Sequence, residues 1–262
     1  EQLLQLLSPL DPLKRHADVR SMRLENTGTW LLELDSFRKW CDIESIEENE
    51  RILCCYGTPG TGKTMISSLV IDHLCPKVTE KTSIVCLYAD YRDWDNQTLV
   101  HILGSFLHQL LTGATLLHIP DQIIQTLKQV KKPNTQVELG GILAMLKLIS
   151  PQLDGLFVCI DALDELEPQT RRDLLEVLSN ELQLGTKNTR LFFTGRPHME
   201  KEVQSYFNIP QELEVKIIAN ENDIRHYLSH KIAEDRCANP DAIDEALETE
   251  ILVSLVARSQ GM

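Results

Sequence analysis

Eight consecutive residues, Gly57–Thr64, have the types and spacing that bind a phosphate group. They fit the pattern G-x-x-x-x-G-K-[ST]. The glycines let backbone N–H groups point inward as an anion nest, and a helix that begins near Lys63 adds its positive dipole end. We expect Lys63 to contact the β- and γ-phosphates and the Thr64 hydroxyl to bind Mg²⁺. The alternative is a glycine-rich turn with an exposed lysine. The predicted phosphate-binding residues are Gly57, Thr58, Pro59, Gly60, Thr61, Gly62, Lys63 and Thr64.

A carboxylate ends the apolar run Leu156–Asp161. Burying an unpartnered carboxylate is costly, so Asp161 needs a partner in this position. Magnesium is the natural partner, usually through water. The sequence therefore predicts a metal site formed by Thr64 and Asp161, with an aspartate that caps the next turn as the alternative.

Two more acids, Asp164 and Glu165, follow closely. Either is a candidate catalytic residue that orients an attacking water, and both are equally compatible with the first turn of the following segment. Ala162 stands next to Asp161, where many ATPases carry a glutamate that polarises water. We therefore expect slow hydrolysis.

Arg196 follows the fourth predicted strand, in the segment Thr194–Pro197. In an open parallel sheet, ligands lie beyond the carboxyl ends of the strands. A guanidinium at that edge can bind a γ-phosphate through paired hydrogen bonds, so Arg196 is a further catalytic candidate. The alternative is an ordinary surface arginine before a proline.

Apolar runs that alternate with helical patterns must position these residues. Such an alternation predicts an α/β fold with a parallel sheet covered on both faces. The predicted strands are Arg51–Tyr56, Ser83–Ala89, Gly155–Asp161, Arg190–Thr194 and Leu213–Ile218. The predicted helices are Leu34–Asp42, Thr64–Leu74, Thr98–Leu111, one or two within 121–150, Thr170–Leu184 with Thr170 as N-cap, Asp223–Ala233 after an Asn220 cap, and a last one from about Asp241.

The amino-acid composition limits the classes of partner and the cellular compartment that we expect for this protein. The 262 residues include 26 basic and 39 acidic ones, a formal net charge of −13, which argues against a nucleic-acid partner and an anionic membrane surface. No apolar stretch is long enough to span a bilayer, and no signal peptide is visible. Seven cysteines without a C-x-x-C pair favour a reduced cytoplasmic protein without structural zinc. A start without Met and an end inside a helical pattern are typical of a piece of a longer protein.

Taken together, these motifs resemble the NACHT domain of STAND signalling NTPases, most closely the fungal members. The resemblance rests on Gly57–Thr64, on Leu156–Glu165 and on Leu191–Pro197. The lead-in Leu7–Pro12 and the following Gly28–Leu32 are similar to the segment before the phosphate loop in fungal NACHT proteins. Those proteins often carry ankyrin, WD40 or TPR repeats downstream.

The resemblance implies an AAA+-like P-loop NTPase sheet of order 5-1-4-3-2, followed by the start of a helical domain. It divides the chain into a lead-in (1–43), a nucleotide-binding domain (44–218) and a truncated helical domain (219–262). Arg196 would be the sensor arginine. The segment around Thr27–Trp30 would lie near the nucleotide base, with Trp30 and Met65 among the nucleotide-binding residues. The closing Gln260–Met262 would pack on the nucleotide.

The activity implied by the resemblance is that of a switch. ADP would hold a closed monomer, and exchange for ATP, with GTP also possible, would permit self-association and signalling in fungal self/non-self recognition or regulated cell death. A ligand drives such a switch only through its different affinity for the two states. The other reading is a scaffold that binds a nucleotide without hydrolysing it.

Three rival classes fit the residues less well. A small GTPase is disfavoured because Asp161–Asp164 lacks the glycine of D-x-x-G and no [NT]-K-x-D motif occurs. A small-molecule kinase would need an arginine-rich lid, and Arg171 and Arg172 look like a helix start instead. A DNA-loading ATPase would need a basic face, which the net charge of −13 argues against.

Overall fold

A five-stranded parallel sheet forms the centre of the protein. The computed structural model describes residues 6–42, 51–113, 120–129, 137–182, 189–218, 220–238 and 243–259. The strands are β1 (Ile52–Tyr56), β2 (Thr82–Tyr88), β3 (Gly155–Asp161), β4 (Thr189–Gly195) and β5 (Glu214–Lys216). Their order is β2-β3-β4-β1-β5. This is the predicted order 5-1-4-3-2 read from the opposite edge, so the predicted fold class is confirmed.

The strands form where the sequence is almost continuously apolar. Every residue of β1, β3 and β4 is buried, as expected for a parallel sheet with helices on both faces. β5 has three residues instead of the predicted six. Among the strands that the structure describes, it is an edge strand that pairs with β1 alone, and Ile218 beyond it is exposed.

Helices surround the sheet. They are α1 (Pro12–Met22), α2 (Trp30–Glu33), α3 (Asp35–Cys41), α4 (Lys63–Leu74), α5 (Leu99–Thr112), α6 (Asp121–Gln129), α7 (Leu139–Ile149), α8 (Pro168–Val177), α9 (Glu200–Tyr206), α10 (Glu221–Ala238) and α11 (Glu245–Ser259). The predicted cap Asn220 is confirmed, because its side-chain oxygen accepts backbone N–H groups of the first turn. Thr98, predicted as the first residue of a helix, is the N-cap of α5, and its hydroxyl accepts the backbone N–H of His101.

The start of α8 was predicted wrongly. The helix begins at Pro168, and the carboxylate of Glu167 accepts the backbone N–H of Thr170 at 2.8 Å. Glu167 is therefore the N-cap. Proline is well suited to the first helical position, because an N–H there would have no partner within the helix. The α-helix ends at Val177, and a π-helical turn, Leu178–Leu182, follows it.

The first forty residues share the core of the sheet. Trp40 in α3 is fully buried, and its indole N–H donates to the carbonyl of Leu191 in β4 at 3.0 Å. Its ring centroid lies 5.5 Å from that of Phe157 and 5.8 Å from that of Phe192. Residues 6–42 thus contribute to the same core as β3 and β4, while the domain boundary at residue 43 stays a prediction.

All seven cysteines are free thiols, and five of them are buried. This agrees with apolar surroundings in which cysteine behaves as a small hydrophobe. Within the described ranges, no helix combines the length and the apolar character needed to cross a membrane.

Candidate nucleotide site

The phosphate loop follows β1 and leads into α4, as its sequence predicts. Gly60 and Gly62 both have φ = +87°, a backbone conformation that side chains rarely adopt. At Gly57, a Cβ atom would lie 2.9 Å from the carbonyl oxygen of Ile217 and 2.5 Å from the Thr61 hydroxyl oxygen. The loop therefore requires glycine at 57 for space and at 60 and 62 for conformation.

Lys63 closes this loop from the helix side. Its Nζ atom donates to the carbonyl of Gly57 at 2.8 Å and to that of Thr58 at 2.9 Å. Burial lowers the pKa of Lys63, while the nearby carboxylates of Asp164 and Asp161 act in the opposite direction. The ammonium group is thus held over the loop, where a phosphate can replace the carbonyl contacts.

Asp161 receives three hydroxyl groups at the carboxyl end of β3. Thr64 donates to Oδ2 at 2.8 Å, and Ser67 and Thr194 donate to Oδ1 at 2.5 and 2.7 Å. Burial raises the pKa of Asp161, since the side chain is almost inaccessible, and the three hydrogen bonds oppose that effect. A carboxylate beside a hydroxyl is the oxygen donor set that Mg²⁺ takes, so Thr64 and Asp161 fit a magnesium site.

Sequence reasoning missed two members of this group, Ser67 and Thr194. Ser67 lies three residues after Thr64 in α4, on the same helix face. Thr194 ends β4, the neighbour of β3, and its hydroxyl also accepts the backbone N–H of Ala162 at 2.8 Å. Both positions follow from helix and sheet periodicity once the sheet order is known.

The chain turns sharply after Asp161. Ala162 has φ = +53°, one of two non-glycine residues with positive φ among those described. Such a conformation costs about 1 kcal/mol or more in a residue other than glycine. It leads into a short 3-10 turn, Leu163–Glu165, that directs Asp164 toward β4.

Asp164 and Arg196 form an ion pair across β3 and β4. Asp164 Oδ2 lies 2.9 Å from Arg196 Nε, and Asp164 Oδ1 accepts the backbone N–H of Arg196 at 3.0 Å. Both carboxylate oxygens are therefore engaged with one residue. This arrangement suits holding an arginine better than accepting a proton from water, and it favours Glu165 over Asp164 as the candidate base.

Glu165 lies beside this pair. Burial, and next the charge of Asp164, raise the pKa of Glu165. Its backbone carbonyl accepts the indole N–H of Trp94 at 2.7 Å, which ties the loop after β2 to the loop after β3. A carboxylate whose pKa is raised has the character of a proton acceptor, which makes Glu165 a candidate base.

A cavity of about 440 Å³ adjoins the phosphate loop, which is within the size range of small-ligand sites. It is lined by Thr27, Gly28, Trp30, Gly60, Thr61, Gly62, Met65, Ile66, Ile218, Asn220, Asp223, Ile224, Tyr227 and Leu228. The structure thus brings Trp30 and Met65 to one cavity beside the loop. The contribution of α10 was not predicted, and the predicted contact from Gln260–Met262 lies outside the described residues.

Two contacts join α10 to the segment before α2. The Asp223 carboxylate accepts the backbone N–H of Gly28 at 2.9 Å, and the His226 ring lies 3.1 Å from the carbonyl oxygen of Glu25. They hold the two walls of the cavity together.

The chain is similar to several proteins of known identity. The family model described as "Nephrocystin 3, N-terminal" matches residues 26–196. The replication factor C large subunit of Picrophilus torridus is 25% identical over 238 residues, which cover 82% of this chain and 54% of that protein. The chain thus spans about half the length of this relative.

Solved structures resemble the fold at low sequence identity. The Cdc6p structure from Pyrobaculum aerophilum has a TM-score of 0.47 at 17% identity, covering 79% of this chain and 49% of that one. The Aeropyrum pernix ORC1 protein in complex with DNA has a TM-score of 0.47 at 18% identity, covering 97% and 59%. The Drosophila ORC bound to DNA has a TM-score of 0.45 at 16% identity, covering 92% and 54%.

These DNA complexes contradict one prediction. The net charge of −13 argues against a nucleic-acid partner, whereas two of the solved structures that resemble this fold are complexes with DNA. Net charge is a sum over the whole surface, whereas DNA binding needs only a local basic patch, so the sum does not exclude it.

The resemblance to NACHT domains is confirmed at the level of the P-loop NTPase fold. The matched family model covers the phosphate loop, Asp161 and Arg196 within residues 26–196, and the sheet order agrees. This chain therefore belongs to the nephrocystin 3, N-terminal family, a NACHT-like family of P-loop NTPases.

Proposed function

We propose that this protein is a nucleotide-binding switch that hydrolyses a nucleoside triphosphate slowly. The observation that carries the proposal is the 2.8 Å contact between Thr64 of the phosphate loop and the buried carboxylate of Asp161. It joins the phosphate loop to the carboxylate that we assign to the metal, and a cavity of about 440 Å³ beside the loop supplies space for a base and ribose.

Each residue then has a role. The backbone N–H groups of Gly57–Thr64 and the Lys63 ammonium bind the phosphates, and Thr64 and Asp161 hold Mg²⁺. Mg²⁺ held there would supply positive charge next to the phosphates. Glu165 orients the attacking water, and Arg196 contacts the γ-phosphate. Trp30 and Met65 contact the base, for which adenine and guanine both stay open.

The proposed switch involves three segments of the chain. Residues 1–43 precede the nucleotide-binding domain (44–218), and residues 219–262 begin a helical domain. The γ-phosphate contacts supply the difference in affinity that shifts a two-state equilibrium. Self-association of a longer, cytoplasmic STAND protein of the fungal type, with ADP or GDP in the resting state, would be the output.

A scaffold that binds a nucleotide without turnover is the second candidate. Two observations favour this scaffold. Asp161 is followed by Ala162 instead of a glutamate, and both carboxylate oxygens of Asp164 are engaged by Arg196. Multiple-turnover hydrolysis above a Lys63→Ala control would support the switch, and its absence in a protein that binds nucleotide would support the scaffold.

The test of the proposal starts from the purified protein without added nucleotide. We expect denaturation to release ADP or GDP, identified by ion-exchange chromatography, or else the empty protein to bind Mg-ATP or Mg-GTP in a calorimetric titration. A protein that neither releases nor binds any of these nucleotides would disprove the proposed function.

Substitution of Asp161 by asparagine separates metal binding from folding. We expect Asp161→Asn to reduce Mg²⁺-dependent hydrolysis at least about tenfold, because a neutral amide is a poor ligand for a hard cation. Burial raises the pKa of Asp161, so the folded state disfavours its charge at neutral pH. Removing that charge should leave the melting temperature of the metal-free protein unchanged or raised.

The exposed Asp154 provides the matched control, since Asp154→Asn removes the same charge far from the site. Hydrolysis in Asp161→Asn equal to that of Asp154→Asn at all Mg²⁺ concentrations would contradict the metal assignment.

A further inference from the structure

Asp164 contacts Arg196 at two points, and a role in activating water does not explain this arrangement. The two residues lie 32 positions apart, and Asp164 engages both the side chain and the backbone of Arg196. A carboxylate bound at two points of one residue fixes the direction in which that side chain leaves the backbone. The pair thus orients the arginine instead of merely neutralising it.

The exposure of the two partners is very different. The Asp164 side chain is 5% exposed, whereas that of Arg196 is 48% exposed. The buried partner is held by its own turn, in which the backbone N–H of Glu165 donates to the carbonyl of Ala162 at 2.7 Å. A fixed, buried anion therefore holds a half-exposed cation just beyond the carboxyl end of β4.

The contact is made at one side of the guanidinium. Its closest approach is at Nε, 2.9 Å from Asp164 Oδ2, and not at a terminal nitrogen. A planar guanidinium held from the Nε side keeps its terminal nitrogens for a second anion, which it can bind through two parallel hydrogen bonds.

The phosphate loop begins at the same end of the sheet as Arg196. β4 lies next to β1, and the backbone N–H of Gly57 donates to the carbonyl of Gly195, the residue before Arg196, at 3.0 Å. The charge of Asp164 raises the pKa of Lys63 and that of Arg196 lowers it, so the three groups lie close enough for their charges to interact.

We propose that Asp164 is a positioning residue that aims Arg196 at the terminal phosphate, so that the protein distinguishes a nucleoside triphosphate from a diphosphate. The inference rests on the proposed function and names what discriminates the two nucleotides at that site. Asp164 acts only through Arg196 and makes no contact with the nucleotide.

The test is a double-substitution cycle read by equilibrium binding of two probes: the Mg²⁺ complexes of a non-hydrolysable triphosphate analogue and of the diphosphate, in the purine series that the wild type prefers. We expect Asp164→Asn to weaken triphosphate binding about tenfold and to change diphosphate binding less than about twofold. We expect Arg196→Ala to weaken triphosphate binding by at least as much, and again to leave diphosphate binding nearly unchanged. The double variant should equal Arg196→Ala alone, because Asp164 has no other route to the ligand.

Asp154→Asn is the matched control. Asp154 forms an ion pair with Lys81 at 3.6 Å and directly precedes β3, at the end of that strand opposite to Asp161, so its loss should leave both affinities unchanged. Melting temperatures of all variants check the fold, and Arg196→Lys, which keeps the charge but not the planar fork, provides a second substitution at the same position.

Three results would overturn the inference: an equal loss of both affinities in Asp164→Asn, an additive loss in the double variant, or tighter triphosphate binding in Asp164→Asn. The last would identify Asp164 as a competitor of the phosphate for Arg196. A wild type that binds neither probe would overturn the proposed function, and the inference with it, so the two failures are distinguishable.

Discussion

Replacing Lys63 by alanine is expected to weaken the binding of both triphosphate and diphosphate by about 100-fold, which corresponds to about 3 kcal/mol. Lys63 is the cation held over the phosphate loop, 2.8 Å from the carbonyl oxygen of Gly57. Its loss removes charge-assisted hydrogen bonds to phosphate oxygens that both nucleotides share. Calorimetric titration with Mg²⁺ and each nucleotide measures the change.

Lys81→Ala is the control for this experiment, because Lys81 is an exposed lysine paired with Asp154 at 3.6 Å. It should bind nucleotide as the wild type does. Unchanged affinity in Lys63→Ala, in a variant with an unchanged melting temperature, would show that Gly57–Thr64 is a turn without a phosphate and would remove the basis of the proposed function.

Replacing Trp40 by alanine is expected to lower the free energy of unfolding by about 3–5 kcal/mol. Trp40 is fully buried, packs against Phe157 and Phe192, and donates its N–H to the sheet backbone at Leu191. The substitution leaves a large cavity in the core and a carbonyl without that donor. Urea unfolding followed by circular dichroism measures the loss.

Trp94→Ala serves as the comparison, since Trp94 is 44% exposed and should cost far less stability. The experiment also bears on the organisation of the chain. A loss below about 1 kcal/mol in Trp40→Ala would mean that residues 6–42 are a dispensable lead-in, while a loss of the expected size would make them part of the folded unit.

Features that are local in the sequence were predictable. The phosphate loop is eight contiguous residues with a required backbone geometry, and the strands before Gly57 and up to Asp161 are continuous apolar runs. Sheet order came with the family resemblance. α1 was missed because four of its eleven residues are charged and it buries only Pro12 and Val19, so it shows no apolar period.

Features that depend on the tertiary fold could not be predicted. In the sequence, Asp164 and Glu165 are equivalent candidates. Only the structure shows that the turn at Ala162 directs Asp164 toward Arg196. The cavity depends on a contact between Gly28 and Asp223, which are 195 residues apart. Neither pairing leaves a periodic or spaced pattern in the chain, because nothing local specifies which distant backbone group a carboxylate will meet.

The positions of the three tryptophans have an optical consequence. Trp30 lines the cavity beside the phosphate loop, Trp94 is hydrogen-bonded to the carbonyl of Glu165, and Trp40 is enclosed in the core. Because indole emission depends on the polarity and hydrogen bonding of the ring's surroundings, we expect Trp30 to respond when a base enters the cavity and Trp94 when the loop after β3 shifts. Trp40 should emit at a constant wavelength throughout. The unlabelled protein therefore carries its own fluorescent reporters for the two ends of a bound nucleotide, together with an internal reference.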